Sequence, residues 1–293
     1  MTSPKTLLSA WDLKARKELG QNFLTDPSTA AMIVNRAGIS SEDAVVEIGA
    51  GLGALTIPAA RAAGSLVAIE KDPRMIDLLR TELQAAGQDK VIIVHRDVLR
   101  VDFNDIHQQG QGRPLVVMGN LPYNISSQVL VKLVENRHLI QRAVLMFQKE
   151  LAQRLTAAPG SRTYGRITVM LDYCADVRKI ADVGAASFFP RPKVDSEVVE
   201  VRFRPPVAPV AADEEFLFRV VKAGFGQRRK ILRNALRGGG LEMTPEAIEA
   251  AMTETGVDPT CRAETLTART FSSLANALYR RYDDRNGDGV IPK

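Results

Sequence analysis

The sequence predicts an α/β fold: a doubly wound, mainly parallel sheet followed by a small all-helical domain. Two patterns carry that prediction. Short apolar runs at 45–48, 66–69, 91–94, 115–118 and 144–148 alternate with stretches of helical period. Beyond Arg204-Pro205-Pro206 the strand pattern stops, and only helical patterns follow as far as Tyr282. Boundaries are therefore placed at 1–19 for a flexible basic arm, 20–208 for the sheet domain, 209–282 for the helical domain and 283–293 for a polar tail.

The arm mixes Lys5, Lys14, Arg16 and Lys17 with Trp11. Thr25-Asp26-Pro27 is a helix-start signal, and Met32, Ile33 and Ala37 supply the apolar face of that helix. Val45, Val46 and Ile48 form a strand that breaks into Gly49-x-Gly51-x-Gly53, with a helix opening near Leu55. Leu66–Ile69 is the next strand and ends in Glu70; Val91–Val94 is another, followed by Asp97. Leu115–Met118 is the fourth and stops at Gly119; Ser126–Val134 is a helix and Val144–Gln148 the fifth strand. Ile167–Cys174 and Val198–Phe203 read as later strands, separated by the proline-rich loop Ser187–Ser196. Helices are predicted over 214–223, 228–236, 245–252 and 266–282.

Composition narrows the functional classes. A hydrophobic share of 45% and a charged share of 25% are ordinary globular values. The excess of 39 basic over 34 acidic residues, +5 net, favours a polyanionic partner. Seven of the basic residues fall between Arg219 and Arg237 with no acid among them. Arg228, Arg229, Lys230 and Arg233 are the candidate phosphate contacts, with Arg228, Arg229 and Arg233 on one helix face. Cys174 and Cys261 stand far apart, and His95, His107 and His138 form no ligand cluster, so no metal site is expected. No apolar run reaches membrane length and no signal pattern opens the chain, which points to a soluble cytoplasmic protein. Asp284–Ile291 copies half of a calcium-binding loop but stops before the closing acid, and it reads as a polar tail.

The glycine turn alone suits a nicotinamide nucleotide as well as S-adenosylmethionine. An acid after the second strand can accept both ribose hydroxyls in either case. Glu47, Glu70 and Asp97 make the pocket negative, which suits a sulfonium and an ammonium better than a pyrophosphate. Gly119-Asn120-Leu121-Pro122-Tyr123 then delivers an amide, a proline and an aromatic ring to the end of a strand. Asn120 and a carbonyl of Leu121 or Pro122 can hold the two hydrogens of an exocyclic adenine amine. Tyr123 can stack on a base pulled out of its helix.

Five stretches together resemble the KsgA/RsmA family of small-subunit ribosomal RNA adenine dimethyltransferases. They are Leu19-Gly20-Gln21-Asn22-Phe23-Leu24, Glu47–Gly53, Gly119–Ser127, Phe188–Ser196 and Phe225-Gly226-Gln227-Arg228-Arg229-Lys230. The resemblance implies a Rossmann-like sheet of the class I S-adenosylmethionine-dependent methyltransferases, with Asn22, Leu24, Gly49, Glu70, Asp97 and Asn120 on the cofactor. It implies that Asn120, Leu121, Pro122 and Tyr123 hold the target adenine, with Phe188 or Phe189 as the second aromatic wall. The implied substrate is a pair of adjacent adenosines in a hairpin near the 3′ end of 16S RNA, each methylated twice on N6 within the small ribosomal subunit. A monomer is expected. The Erm-type enzymes of large-subunit RNA are the nearest alternative, sharing an Asn-Ile-Pro-Tyr turn where this chain has Leu121. A ribosome-assembly checkpoint, acting mainly by binding, is compatible with the same residues. A nicotinamide-dependent oxidoreductase is the outlying reading.

Overall fold

Each of the five early apolar runs becomes a strand of one sheet. The computed structural model describes residues 2–110, 112–227 and 229–286, the last three by backbone alone. The chain starts with α1 (Pro4–Ala10), β1 (Phe23–Leu24) and α2 (Pro27–Arg36). Then come β2 (Ala44–Ile48), α3 (Thr56–Ala62), β3 (Ser65–Glu70), α4 (Pro73–Ala85), β4 (Ile92–His95) and α5 (Phe103–Gln109). The alternation continues with β5 (Leu115–Asn120), α6 (Ser126–Glu135) and β6 (Ile140–Gln148). After α7 (Lys149–Leu155) and α8 (Arg166–Cys174) come β7 (Ala175–Val183), β8 (Phe188–Phe189) and β9 (Ser196–Phe203). Four helices follow: α9 (Glu214–Phe225), α10 (Leu232–Arg237), α11 (Pro245–Glu254) and α12 (Ala268–Asn286).

Among the described residues the main sheet has seven strands in the order β4-β3-β2-β5-β6-β9-β7. The pairs from β4 to β6 are parallel, and β9 runs antiparallel to β6. The chain works outward from β2 to β4, then returns to lay β5 on the other side of β2. That reversal opens a crevice between the carboxyl ends of β2 and β5, the usual ligand position in such sheets. Full burial of β2 and of Leu115–Gly119 accounts for their unbroken apolar runs.

The chain divides into two compact units, and neither is continuous in sequence. One comprises residues up to Gln153 together with Asp176–Phe203; the other comprises Arg154–Ala175 and the chain from Arg204. This corrects the expected single cut at 208. Ile167–Cys174, expected as a strand, is helix α8. All its residues except Arg166 and Asp172 are buried, so no polar stripe marks a helical period, and Ile167, Thr168 and Val169 favour a strand locally. In the second unit α8 packs against α9 and α12. Residues just beyond Arg204-Pro205-Pro206 are pinned to α8: Val207 N–H donates to the Tyr173 carbonyl at 2.8 Å, and Ala211 N–H to its hydroxyl at 3.0 Å.

The expected flexible arm is a helix for part of its length. Ser3 caps α1 by accepting the Thr6 N–H. Leu7 and Leu8 are buried in a cluster with Phe23, Leu52, Met75 and Leu78, while Trp11 stays 41% exposed. The helix expected over 228–236 starts only at Leu232, because Ile231 is extended and serves as its N-cap. Within the first unit, β8, inside the expected loop, makes a two-residue antiparallel ribbon with β1, pairing Phe23 with Phe189 and Leu24 with Phe188. The half-loop at the chain's end lies largely outside the described residues.

Candidate active site

All six predicted cofactor residues, Asn22, Leu24, Gly49, Glu70, Asp97 and Asn120, line one cleft at the switch point. The glycine turn also lines it. Gly51 has φ +54°, a conformation that glycine adopts freely, and its N–H donates to Glu70 Oε2 at 2.8 Å. Glu70 Oε1 accepts the Asp72 N–H at 2.7 Å. Glu70 therefore braces the turn with both oxygens, each keeping lone pairs for a further donor. Burial raises its carboxyl above the usual range, opposed by the N–H groups of Asp72, Gly51 and Lys71.

Asp72 does not line the cleft but supports it, a role that the sequence reading missed. It is 1% exposed, it caps α4, and it accepts a hydrogen bond from Gln21 Nε2 at 2.9 Å. Gln21, Asp72, Glu70 and Gly51 are thus one chain of hydrogen bonds that fixes the amino-terminal segment against the turn. The Asp72-Pro73 pair, a helix-start signal, was the available clue. Asp97 accepts from Lys71 Nζ at 2.8 Å and from the Leu99 N–H at 3.0 Å. The Lys71 bond, chiefly, holds its carboxyl below the usual range. Glu47 also lines the cleft, is 2% exposed, and has no hydrogen-bond partner at Oε2 among the described residues. Burial pushes its pKa up to about 8, eased by the Thr56 hydroxyl and reinforced by Glu70.

Strand β5 does not stop at Gly119 but carries Asn120 to its tip. A Cβ at Gly119 would lie 2.6 Å from the Ile48 carbonyl oxygen, so glycine is what lets β5 pass the end of β2. Asn120 Nδ2 donates to the Asn22 carbonyl at 2.8 Å, which leaves Oδ1 as the acceptor end of the amide. Leu121 is 1% exposed, and its N–H donates to the Met146 carbonyl at 3.4 Å. The Pro122 carbonyl accepts from Ile125 N–H at 3.2 Å and Ser126 Oγ at 3.0 Å.

Of the expected base-holding set, Asn120 and Pro122 line the cleft; Leu121, Tyr123, Phe188 and Phe189 do not. Tyr123 is half-buried. Phe188 is 4% exposed in the core with Leu24, whereas Phe189 packs beside Phe23 against the Leu7–Leu8 cluster.

In the second unit, Arg229 and Lys230 are exposed in the turn before α10, and Arg228 lies outside the described residues. Arg233 is on α10 but is partly spent: it and Arg237 both pair with Glu249 Oε1, at 3.3 and 2.7 Å. Among the described residues, no cluster of three or more His, Cys, Asp or Glu is placed to hold a metal ion. No helix there is long and apolar enough to cross a membrane.

A parallel-dominant sheet, a glycine turn and an acid-lined cleft at the switch point, followed by a helical carboxyl-terminal part, define a class I S-adenosylmethionine-dependent methyltransferase fold. Residues 12–280 match the family described as ribosomal RNA adenine dimethylase, and the chain belongs to that family. It is 52% identical to a ribosomal RNA small subunit methyltransferase A of Desulforapulum autotrophicum, over 95% of this chain and 97% of that one. A protein of the same description from Magnetococcus marinus is 45% identical over 93% of this chain and 95% of that one. Among solved structures, a dimethyladenosine transferase from Plasmodium falciparum superposes with a TM-score of 0.69 at 26% identity, covering 90% of this chain and 98% of its own. The 23S rRNA methyltransferase ErmE gives 0.63 at 26% identity, covering 88% and 99%.

Proposed function

We propose that this protein transfers methyl groups from S-adenosylmethionine to the N6 amines of two adjacent adenosines in a hairpin near the 3′ end of 16S rRNA. Each adenosine is dimethylated during small-subunit assembly, by a cytoplasmic monomer. The observation that carries the reading is the Asn120 amide, whose nitrogen is bound to Asn22 so that its oxygen is left to receive a donor.

The cleft suits the cofactor's charge. Glu47, Glu70 and Asp97 line it, and Glu47 brings a buried oxygen without a partner, an arrangement that favours a cation over a pyrophosphate. When bound, S-adenosylmethionine supplies an electrophilic methyl group. The rest of the chemistry is positioning by this chain's own groups. Asn120 Oδ1 accepts one N6–H. The Pro122 carbonyl already accepts two hydrogen bonds, so the Leu121 carbonyl is the better second acceptor. Two acceptors on the amine draw its lone pair out of the ring and toward the methyl group. Tyr123 stacks on the extruded base, with Phe188 or Phe189 as the second wall. Phe189, less buried, is the better candidate. No strong base is required, because the nitrogen sheds its proton readily once it carries positive charge.

Arg229 and Lys230 are exposed and have no ion-pair partner among the described residues, so they lead the RNA contact; Arg233 assists. The basic turn meets RNA phosphates and shape rather than sequence. The near-full-length likeness to small-subunit methyltransferases, at 52% and 45% identity, favours the 16S substrate over a 23S one. Mass mapping of N6-dimethyladenosine in ribosomal RNA, from cells with and without the gene, tests this. Loss of an adjacent dimethylated pair in 16S RNA is expected; loss confined to 23S RNA would transfer the assignment to the Erm-type reaction. A checkpoint role adds a second readout: a catalytically inactive variant then harms growth more than a deletion does.

A further inference from the structure

Glu47 is the most deeply buried acid of the cleft. It stands on β2 two residues before Gly49, lines the cleft, is 2% exposed, and has no hydrogen-bond partner at Oε2 among the described residues. Among the described residues, Thr56 and Glu70 are the side chains that act on it, and neither brings a compensating charge. Its register partners are Ala68 on β3 and Met118 on β5, both apolar. Helix α3 contributes only the buried hydroxyl of Thr56, and the end of β3 contributes a second acid, Glu70. The remaining charged groups on the cleft are Glu18, Lys71, Arg96 and Asp97, and Lys71 is committed to Asp97 at 2.8 Å. A buried carboxylate without a counter-charge is costly, so the group holds a proton until a cation arrives.

The proposed cofactor brings two positive centres, a sulfonium and an ammonium. After methyl transfer its sulfur is a neutral thioether, so the product carries one positive charge fewer. We propose that Glu47 is a neutral acid in the cofactor-free protein, gives up its proton when the sulfonium form binds, and thereby discriminates cofactor from thioether product by charge. The inference rests on the methyl-donor reading. In the binding step the Glu47 O–H bond breaks, its electron pair stays on the carboxylate, and the proton passes to the buffer. When the sulfur loses its charge, the carboxylate takes a proton back from solvent. The same burial that leaves Oε2 unpartnered moves the group's titration to about pH 8, so the exchange falls within the working range.

Titration calorimetry of the full chain, in two buffers of different ionisation enthalpy, counts the protons released. With S-adenosylmethionine near neutral pH, release of most of a proton is expected; with S-adenosylhomocysteine, distinctly less. Affinity for S-adenosylmethionine should rise about tenfold per pH unit below the titration point and become nearly flat in Glu47→Gln. If that variant folds poorly, infrared difference spectra of the wild type serve instead. The band of a buried protonated carboxyl should vanish on adding S-adenosylmethionine and persist with the thioether product. Cofactor binding with buffer-independent heat in the wild type, or proton release unchanged in Glu47→Gln, overturns the inference alone. No binding of either nucleoside overturns the methyl-donor reading, and the inference with it.

Discussion

The Asn120 amide has one end occupied, by the carbonyl of Asn22, and that single bond decides which atom is left to receive a donor. Asn120→Ala removes the acceptor while keeping the strand. Methyl incorporation should fall by about 10²-fold or more, with an unchanged circular dichroism melt. Activity near wild type would remove the assigned role. Glu47 gives a prediction about stability. Its folded pKa, about 8, lies above the ordinary 4.5, so its contribution to folding is fully present below about 4.5 and is lost as pH rises through 8. The cofactor-free wild type should therefore lose a few kcal/mol between mildly acidic and mildly alkaline pH that Glu47→Gln retains. Urea titrations across that range measure it, and parallel curves for the two proteins would contradict it. At this scale the sequence was informative wherever a residue type is scarce in its context: an acid before a glycine turn, an amide before Leu-Pro-Tyr. It did not reveal that Asp72 joins Gln21 to Glu70, because a helix-capping aspartate looks the same whether or not it also serves a site.

Among elements, strands with buried faces and glycine or acidic ends were legible, and α8 was not. A helix buried nearly all round loses the amphipathic stripe by which helices are recognised, and the β-branched run Ile167-Thr168-Val169 pulls the reading toward a strand. The β1–β8 ribbon was hidden for another reason: two residues are too few to show a period, and the partner strand lies far along the chain. The basic segment is the element where structure most changes the prediction. With Arg229 and Lys230 in a turn and Arg233 paired to Glu249, the described candidate phosphate contacts do not form a single helical stripe. Replacing Arg229 and Lys230 together by alanine should lower RNA affinity and reduce the slope of log affinity against log salt by about 2. S-adenosylmethionine affinity should not change. Filter binding at several salt concentrations gives the slope; an unaltered slope would place the phosphate contacts elsewhere.

Across the whole molecule, the chain passes between two units at Gln153, at Ala175 and again at Phe203. A single cut near 208 was expected because the composition changes there, yet contacts rather than composition define a unit. A fragment starting at Arg204 lacks α8 and the buried side chains it brings to α9 and α12. It should melt without a cooperative transition, and a fusion restoring Arg154–Ala175 should recover one. A sharp transition in the short fragment would show that α8 is dispensable. The same discontinuity bears on synthesis. Helix α8 leaves the ribosome before α9 and α12, against which it packs, exist, and β6 waits for β9, which lies beyond that helix in the chain. Each unit thus completes only after part of the other has been translated. During elongation an apolar helix stands uncovered until the final helices emerge, which makes this interval the point at which chaperone access and translation speed govern the yield of folded protein.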